Sequence, residues 1–358
     1  MMFGRKKLYS SVLTAGLVLA GIGSAGAIET QARNAILMDY DTGQYLYVKD
    51  HEKMVPPASM SKLMTVNMIF EKLKDGSLSL DDTFTVSERA WKLGGAASGG
   101  STMFLKIGEK VRVEDILKGI LIQSGNDACI VAAENLAGSE DDFAEMMNKR
   151  ARELGLNNSS FANSTGLPHP DQKMSVEDLA KLARHIIKEF PEFYHIFSEK
   201  YYTEEAGFCL TASAKKGERR LIEVMTGMNS NKERSEEAER LMEWGFREFN
   251  NYNLLNKGQT IAEIPVVFGS EKQVRLVVPE TVKRTLKKSQ APKIKMTAVY
   301  DKPVKAPVAA GDKLGEVRIE LDGQEMENLP LVADRNVEKL GFFGRIGQNL
   351  KYLLFGAE

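Results

Sequence analysis

Cysteine is nearly absent. Cys129 and Cys209 are the only two in 358 residues, so no dense disulfide framework supports the fold. Both lie inside apolar segments, CIVAAENLA and GFCLTASA, which points to two buried free thiols rather than a bridge. Charge of one sign is missing as well: 48 basic residues face 49 acidic ones, and no nucleic-acid signature follows. Internal repeats and low-complexity tracts are absent, which excludes a repeat array. The N-terminal run LYSSVLTAGLVLAGIG is short for a membrane span and carries several Gly and Ser.

What that run does have is context. Arg5, Lys6 and Lys7 precede it and Ala25-Gly26-Ala27 close it, the three-part layout of a secretory signal peptide over residues 1–27. A membrane anchor is the alternative reading. Removal of the segment leaves a mildly acidic exported chain. The length and the 43% hydrophobic content provide for a large core and about two domains.

From Asn34, NAILMDYDTGQYLYVKD reads as two strands around the turn Asp41-Thr42-Gly43. Pro56 and Pro57 then precede a helical run from Ser59 to Leu73, closed by Asp75-Gly76. After a glycine-rich loop at 93–101, helices are predicted over 113–122, 126–136, 139–154 and 175–190, the last two with Ser caps followed by acidic residues. AGFCLTASA and RRLIEVMTGM alternate as strands, and SEEAERLMEWGFREF reads as an amphipathic helix. The order fits an α/β (α+β) domain over 28–249, a sheet with flanking helices. Residues 250–333 hold short strand-like pieces between Gly and Pro, a small all-β domain. Over 336–358, Leu340, Phe343, Ile346 and Leu350 fall at helical spacing with Lys339, Arg345 and Lys351 among them. That is the pattern of an amphipathic membrane-anchoring helix, or of a terminal helix docked on the β domain.

Two short motifs carry chemistry. In PPASMSKLMT, Ser59 and Lys62 are three apart at a helix start, so their side chains share one face. The helix N-terminus favours negative charge developing on the serine oxygen. For Lys62 to act as a base it must give up its proton near neutrality, which burial or a second cation promotes. The alternative is a capping Ser59 and a solvated Lys62. A second match, Ser213-Ala-Lys-Lys216, places its serine at a strand end and its lysine in a turn. In LIQSGNDACI, Ser124-Gly125-Asn126 lies between two helices, where Gly permits a tight turn that aims two polar side chains at one point. Such a serine can relay a proton and such an asparagine can donate to a carbonyl. Plain helix capping is the other reading.

Together, S-x-x-K followed by S-x-N resembles the active-serine penicillin-recognising peptidases, which include β-lactamases and penicillin-binding proteins. The longer strings PPASMSKLMT, LIQSGNDACI and FANSTGLPHPDQKMSVEDLA resemble low-molecular-mass D-alanyl-D-alanine carboxypeptidases. The resemblance runs from about residue 30 to the end. It implies the penicillin-binding-protein fold with its small β domain and C-terminal helix. It also implies a periplasmic enzyme on the outer face of the inner membrane, with peptidoglycan pentapeptide as substrate, β-lactams as covalent inhibitors, and no metal or organic cofactor. By the same resemblance, Ser59 forms the acyl-enzyme, Lys62 takes its proton, Ser124 passes a proton to the leaving D-alanine, and Asn126 holds the substrate amide.

The family's third motif, Lys-Thr-Gly or Lys-Ser-Gly, has no counterpart. It stands before a string like HTEEAGFCLTASA, where this chain reads FSEKYYTEEAGFCLTASA, and Glu199, Lys200 and Tyr201 fill the three slots. Lys200, the candidate carboxylate partner, is one residue out of place, and on a strand that offset turns it to the other face unless a bulge intervenes. Loss of one oxyanion donor typically costs about 3–4 kcal/mol. Removing a strand from the middle of the sheet would also threaten the fold. A carboxypeptidase of impaired activity and a non-catalytic peptidoglycan-binding or scaffolding relative are the two functional expectations.

Overall fold

The computed structural model describes residues 8–13, 28–198, 208–342, 344 and 346. Two compact units divide the chain, 27–247 and a second built around 248–358 together with the first 26 residues.

The first unit is built on a four-stranded antiparallel sheet in the order Tyr45–Lys49, Asn34–Asp39, Arg219–Met228, Phe208–Lys216. Strand alternation gives the sheet two apolar faces. Ile36, Met38, Ile222 and Val224 enter the main core with Met64, Ile69 and Phe70. The other face lies against helix Asn231–Glu248, whose Gly245 leaves no room for a β-carbon, 2.5 Å from Leu37 and 2.8 Å from Leu221. Before that helix, α7, come α1 (Lys62–Lys74), α2 (Glu88–Gly94), α3 (Val113–Gln123), α4 (Asn126–Ala137), α5 (Glu140–Glu153) and α6 (Val176–Glu189). Ser139 and Ser175 cap α5 and α6 by accepting from Asp142 N and Asp178 N, as their sequence pattern predicts.

The predicted helix from Ser59 divides in two. Ala58–Ser61 is a 3-10 turn and α1 begins only at Lys62. Pro56 and Pro57 supply no backbone N–H, and Ala58 takes a left-handed φ of 50°, so a regular helix cannot run through them. The sheet also corrects an expectation: its four described strands pair without a gap, and Phe208–Lys216, the strand following the shortened segment, stands at the end of the order rather than in its middle. Up to Ser198 the chain is held by the rings of Phe190, Phe193 and Phe197, with centroids 5.6, 5.0 and 6.2 Å from that of Phe70. Lys200, with Glu199 and Tyr201, lies outside the described residues.

The second unit is all-β. Thr260–Val267, Gln273–Val277, Ile294–Asp301, Lys313–Leu321 and Gln324–Ala333 form one antiparallel sheet around Ile264, Leu276, Val317, Ile319 and Leu331. Phe249–Leu255 and Val282–Lys287 make a separate pair. Of the N-terminal segment, Leu8–Leu13 is described, as a strand antiparallel to Ile294–Asp301; the rest of 1–27 lies outside the described residues. The C-terminal helix expected from residue 336 does not begin there. Val337 is fully buried and bridges Val308, and Lys339 bridges Gly269, because a β pairing satisfies this backbone where a helix would expose Val337. Most of the tail beyond residue 342 lies outside the described residues. No described helix is long and apolar enough to cross a membrane.

Candidate active site

Three segments meet at the site, and each is tied to the next. The turn Ala58–Ser61 is closed by Ser61 Oγ donating to Ala58 O at 2.9 Å. Behind it runs the loop Asn163–Leu167, an Asx turn in which Asn163 Oδ1 accepts from Thr165 N, Thr165 Oγ1 and Gly166 N. Gly166 has φ +84°, and a β-carbon there would lie 2.0 Å from Ala58 O. Only glycine lets the two backbones approach this closely. Thr65 Oγ1 in α1 donates to Ser164 O at 2.7 Å, and Ser164 donates through N and Oγ to Glu140 of α5.

The third segment joins α3 to α4. Ser124 ends α3 in a left-handed conformation, φ 54°, and Asn126 opens α4. Sequence reading missed Asp127, which holds this junction. Its fully buried carboxylate accepts from Thr102 Oγ1 at 2.7 Å, Met103 N at 2.8 Å, Ala128 N at 2.9 Å and Leu105 N at 3.1 Å. Three donors from the 102–105 loop and one from the first turn of α4, where Asp127 itself sits, offset the cost of burying the charge. The residue next to a suspected functional asparagine, itself acidic at a helix start, was the available signal.

The geometry brings the two motifs together on one atom. Lys62 Nζ donates to Ser59 Oγ at 3.0 Å and to Asn126 Oδ1 at 2.9 Å. Lys62 is 4% exposed, so the solvated-lysine reading is excluded, and the Ser59 turn has no side-chain cap bond. Ser124 Oγ is buried and makes no hydrogen bond among the described residues. Ser59 and Asn126 line a cavity of about 630 Å³ whose other walls include Pro57, Ser101, Thr165, Leu167 and His169. That volume suits a peptide-sized ligand.

The rival pair is set aside. Ser213 and Lys216 both belong to the strand Phe208–Lys216, contrary to the predicted turn, and residues three apart on a strand face opposite ways. Ser213 Oγ accepts from Arg220 at 2.7 Å. Cys129 forms no disulfide. Cys129 is buried, with its thiol pushed up to about 12 by burial, while Cys209 is only partly buried. Among the described residues, metal-ligating groups converge at His51, Glu52 and Glu177, but Glu177 there is already held by Tyr45 at 2.7 Å and Lys181 at 2.8 Å.

Comparison with known proteins gives the family and the fold. The family described as D-alanyl-D-alanine carboxypeptidase matches residues 22–203, and the C-terminal domain of penicillin-binding protein 5 matches 249–339. D-alanyl-D-alanine carboxypeptidase DacC of Escherichia coli (strain K12) is 35% identical over 350 residues, 89% of this chain and 88% of that one. DacF of Bacillus subtilis (strain 168) is 33% identical over 94% of this chain and 96% of that one. The crystal structure of penicillin-binding protein 5 from Haemophilus influenzae superposes with a TM-score of 0.78 at 31% identity, covering 88% of this chain and all of that one.

Proposed function

This chain belongs to the D-alanyl-D-alanine carboxypeptidase family, and we propose that it removes the terminal D-alanine of peptidoglycan stem peptides by acyl transfer to Ser59. The observation that carries this reading is the single buried nitrogen of Lys62 bonded to both Ser59 Oγ and Asn126 Oδ1 at the wall of the cavity. Ser59 Oγ attacks the carbonyl between the two D-alanines as Lys62 Nζ accepts its proton. Ser124 Oγ, unoccupied by other bonds among the described residues, passes a proton to the departing amine. The Asn126 side chain orients the acyl peptide. Water then releases the shortened peptide and regenerates Ser59. β-Lactams acylate the same oxygen. A non-catalytic scaffold would have no need of a buried lysine bonded to a serine at the wall of a cavity.

The decisive experiment joins D-alanine release from a soluble pentapeptide with fluorescent-penicillin labelling read by intact mass. One acyl adduct, lost in Ser59→Ala, and release of one D-alanine per peptide are expected. A wild type that is neither labelled nor active, while a version carrying a restored Lys-Thr-Gly segment is both, would refute catalysis by the chain as it stands.

We propose in addition that the chain is exported by residues 1–27 and held on the outer face of the inner membrane by its C-terminal tail. The support is the basic, apolar, small-residue order of the N-terminus and the helical spacing of Leu340, Phe343, Ile346 and Leu350. Deleting residues 340–358 should release the protein from membranes; unchanged pelleting would refute the anchor.

A further inference from the structure

Phe104 is an apolar side chain held out into solvent by a deliberate piece of structure. At 71% exposure it exceeds every other described large hydrophobic residue. Its φ is +61°, a left-handed conformation that bulky residues rarely adopt and that persists only where the surroundings fix it. The surroundings do fix it. Met103 N and Leu105 N on either side donate to the buried Asp127 carboxylate, and Phe104 N donates to Thr102 Oγ1, itself bonded to Asp127. Leu105 turns into the core while Phe104 turns out. A second exposed aromatic, Trp91, sits on α2, whose Gly94 is pressed against the backbone N of the same Asp127. Ser101, three residues before Phe104, lines the cavity with Ser59.

We propose that Phe104 is a stacking platform for the glycan strand of peptidoglycan. The proposal rests on the carboxypeptidase reading above, since it takes the polymer as substrate. A stem peptide reaching Ser59 past Ser101 is covalently joined to a sugar chain, which must then pass the rim. The flat apolar face of a rigid aromatic ring matches the apolar face of a sugar ring and loses little side-chain freedom on binding. The residues leading to the platform, Gly99-Gly100-Ser101-Thr102, are small and uncharged and leave the ring open to a neutral polymer.

The test compares wild type, Phe104→Ala and Phe104→Trp in two assays: hydrolysis of a soluble pentapeptide, and co-sedimentation with purified insoluble peptidoglycan. Phe104→Ala should hydrolyse the soluble peptide within twofold of wild type, yet bind the polymer roughly five- to tenfold more weakly, and Phe104→Trp should retain binding. Glycan strands stripped of their stem peptides should compete for the wild type and have little effect on Phe104→Ala. Unchanged polymer binding by Phe104→Ala would overturn the proposal, as would competition by peptide-bearing strands alone. A wild type that binds the polymer through Phe104 but hydrolyses no pentapeptide would refute the carboxypeptidase reading and leave the platform standing.

Discussion

Lys62 Nζ lies 2.9 Å from Asn126 Oδ1, across 64 positions of sequence. That contact fixes which way the lysine points toward Ser59, and it makes Asn126 an orienting partner of the base as well as a group in the substrate cavity. Asn126→Ala should therefore slow penicillin acylation of Ser59 by about 10- to 100-fold, the loss expected for one hydrogen bond to a charged or reacting group. Stopped-flow labelling checks this; an acylation rate within twofold of wild type would remove Asn126 from the site.

Gly166→Ala should damage the nucleophile from behind its own turn. The added carbon would meet Ala58 O at 2.0 Å, and the residue would carry a φ of +84°. Roughly 2–4 kcal/mol of stability should be lost, with the left-handed backbone and the displaced turn both contributing. Thermal unfolding and penicillin labelling should fall together; a labelled protein of unchanged Tm would show that the turn tolerates the shift.

Asp127→Asn keeps the shape and removes two acceptor positions from a carboxylate that holds four donors. A stability loss of about 2–4 kcal/mol is expected. The 101–105 segment should also lose amide hydrogen-exchange protection ahead of the rest of the unit. Uniform protection across the unit would contradict a local role.

Glu223 predicts a pH dependence. It is fully buried in strand Arg219–Met228, opposite Leu37 and on the face covered by α7, and neither carboxyl oxygen has a hydrogen-bond partner among the described residues. Burial holds its carboxyl well above the usual Glu range, and Glu237 on α7 adds to the effect. The folded chain therefore holds this proton more tightly than the unfolded one. Its contribution to stability is complete below the unfolded value near 4.5, and it is lost as pH rises toward the folded value. Glu223→Gln should abolish that slope and raise stability at pH 8 by roughly 1–3 kcal/mol. Melts of both proteins at pH 5 and pH 8 check the sign: the gap should widen with pH, and a constant gap would refute it.

Much of this fold is legible in the sequence because its signals are local. The Ser139 and Ser175 caps, the turn at Asp41-Thr42-Gly43 and the apolar periods of α1 and of α3 to α6 depend on neighbours a few residues away, whereas the short α2 was not read from the sequence. The Ser59 turn was harder, since two prolines and a left-handed Ala58 replace the first helical turn by a 3-10 turn while leaving the Ser59 to Lys62 spacing intact. The Asp127 anchor and the isolated Glu223 were not read from the sequence. Apart from the adjacent Ala128 N, the partners of Asp127 come from a segment more than 20 residues away, and Glu223 has none among the described residues, so local pattern points at most to an acidic residue at a helix start.

The residue types and spacings of S-x-x-K and S-x-N were determined by the sequence alone, and with them the class of chemistry available. That Lys62 reaches Ser59 and Asn126 at once, that Ser124 is left without a bond among the described residues, and that Gly166 backs the nucleophile were decided by tertiary structure. The physical reason is packing: three segments separated by dozens of residues are brought to one point only when the core around Phe70, Phe143 and Ile130 closes behind them.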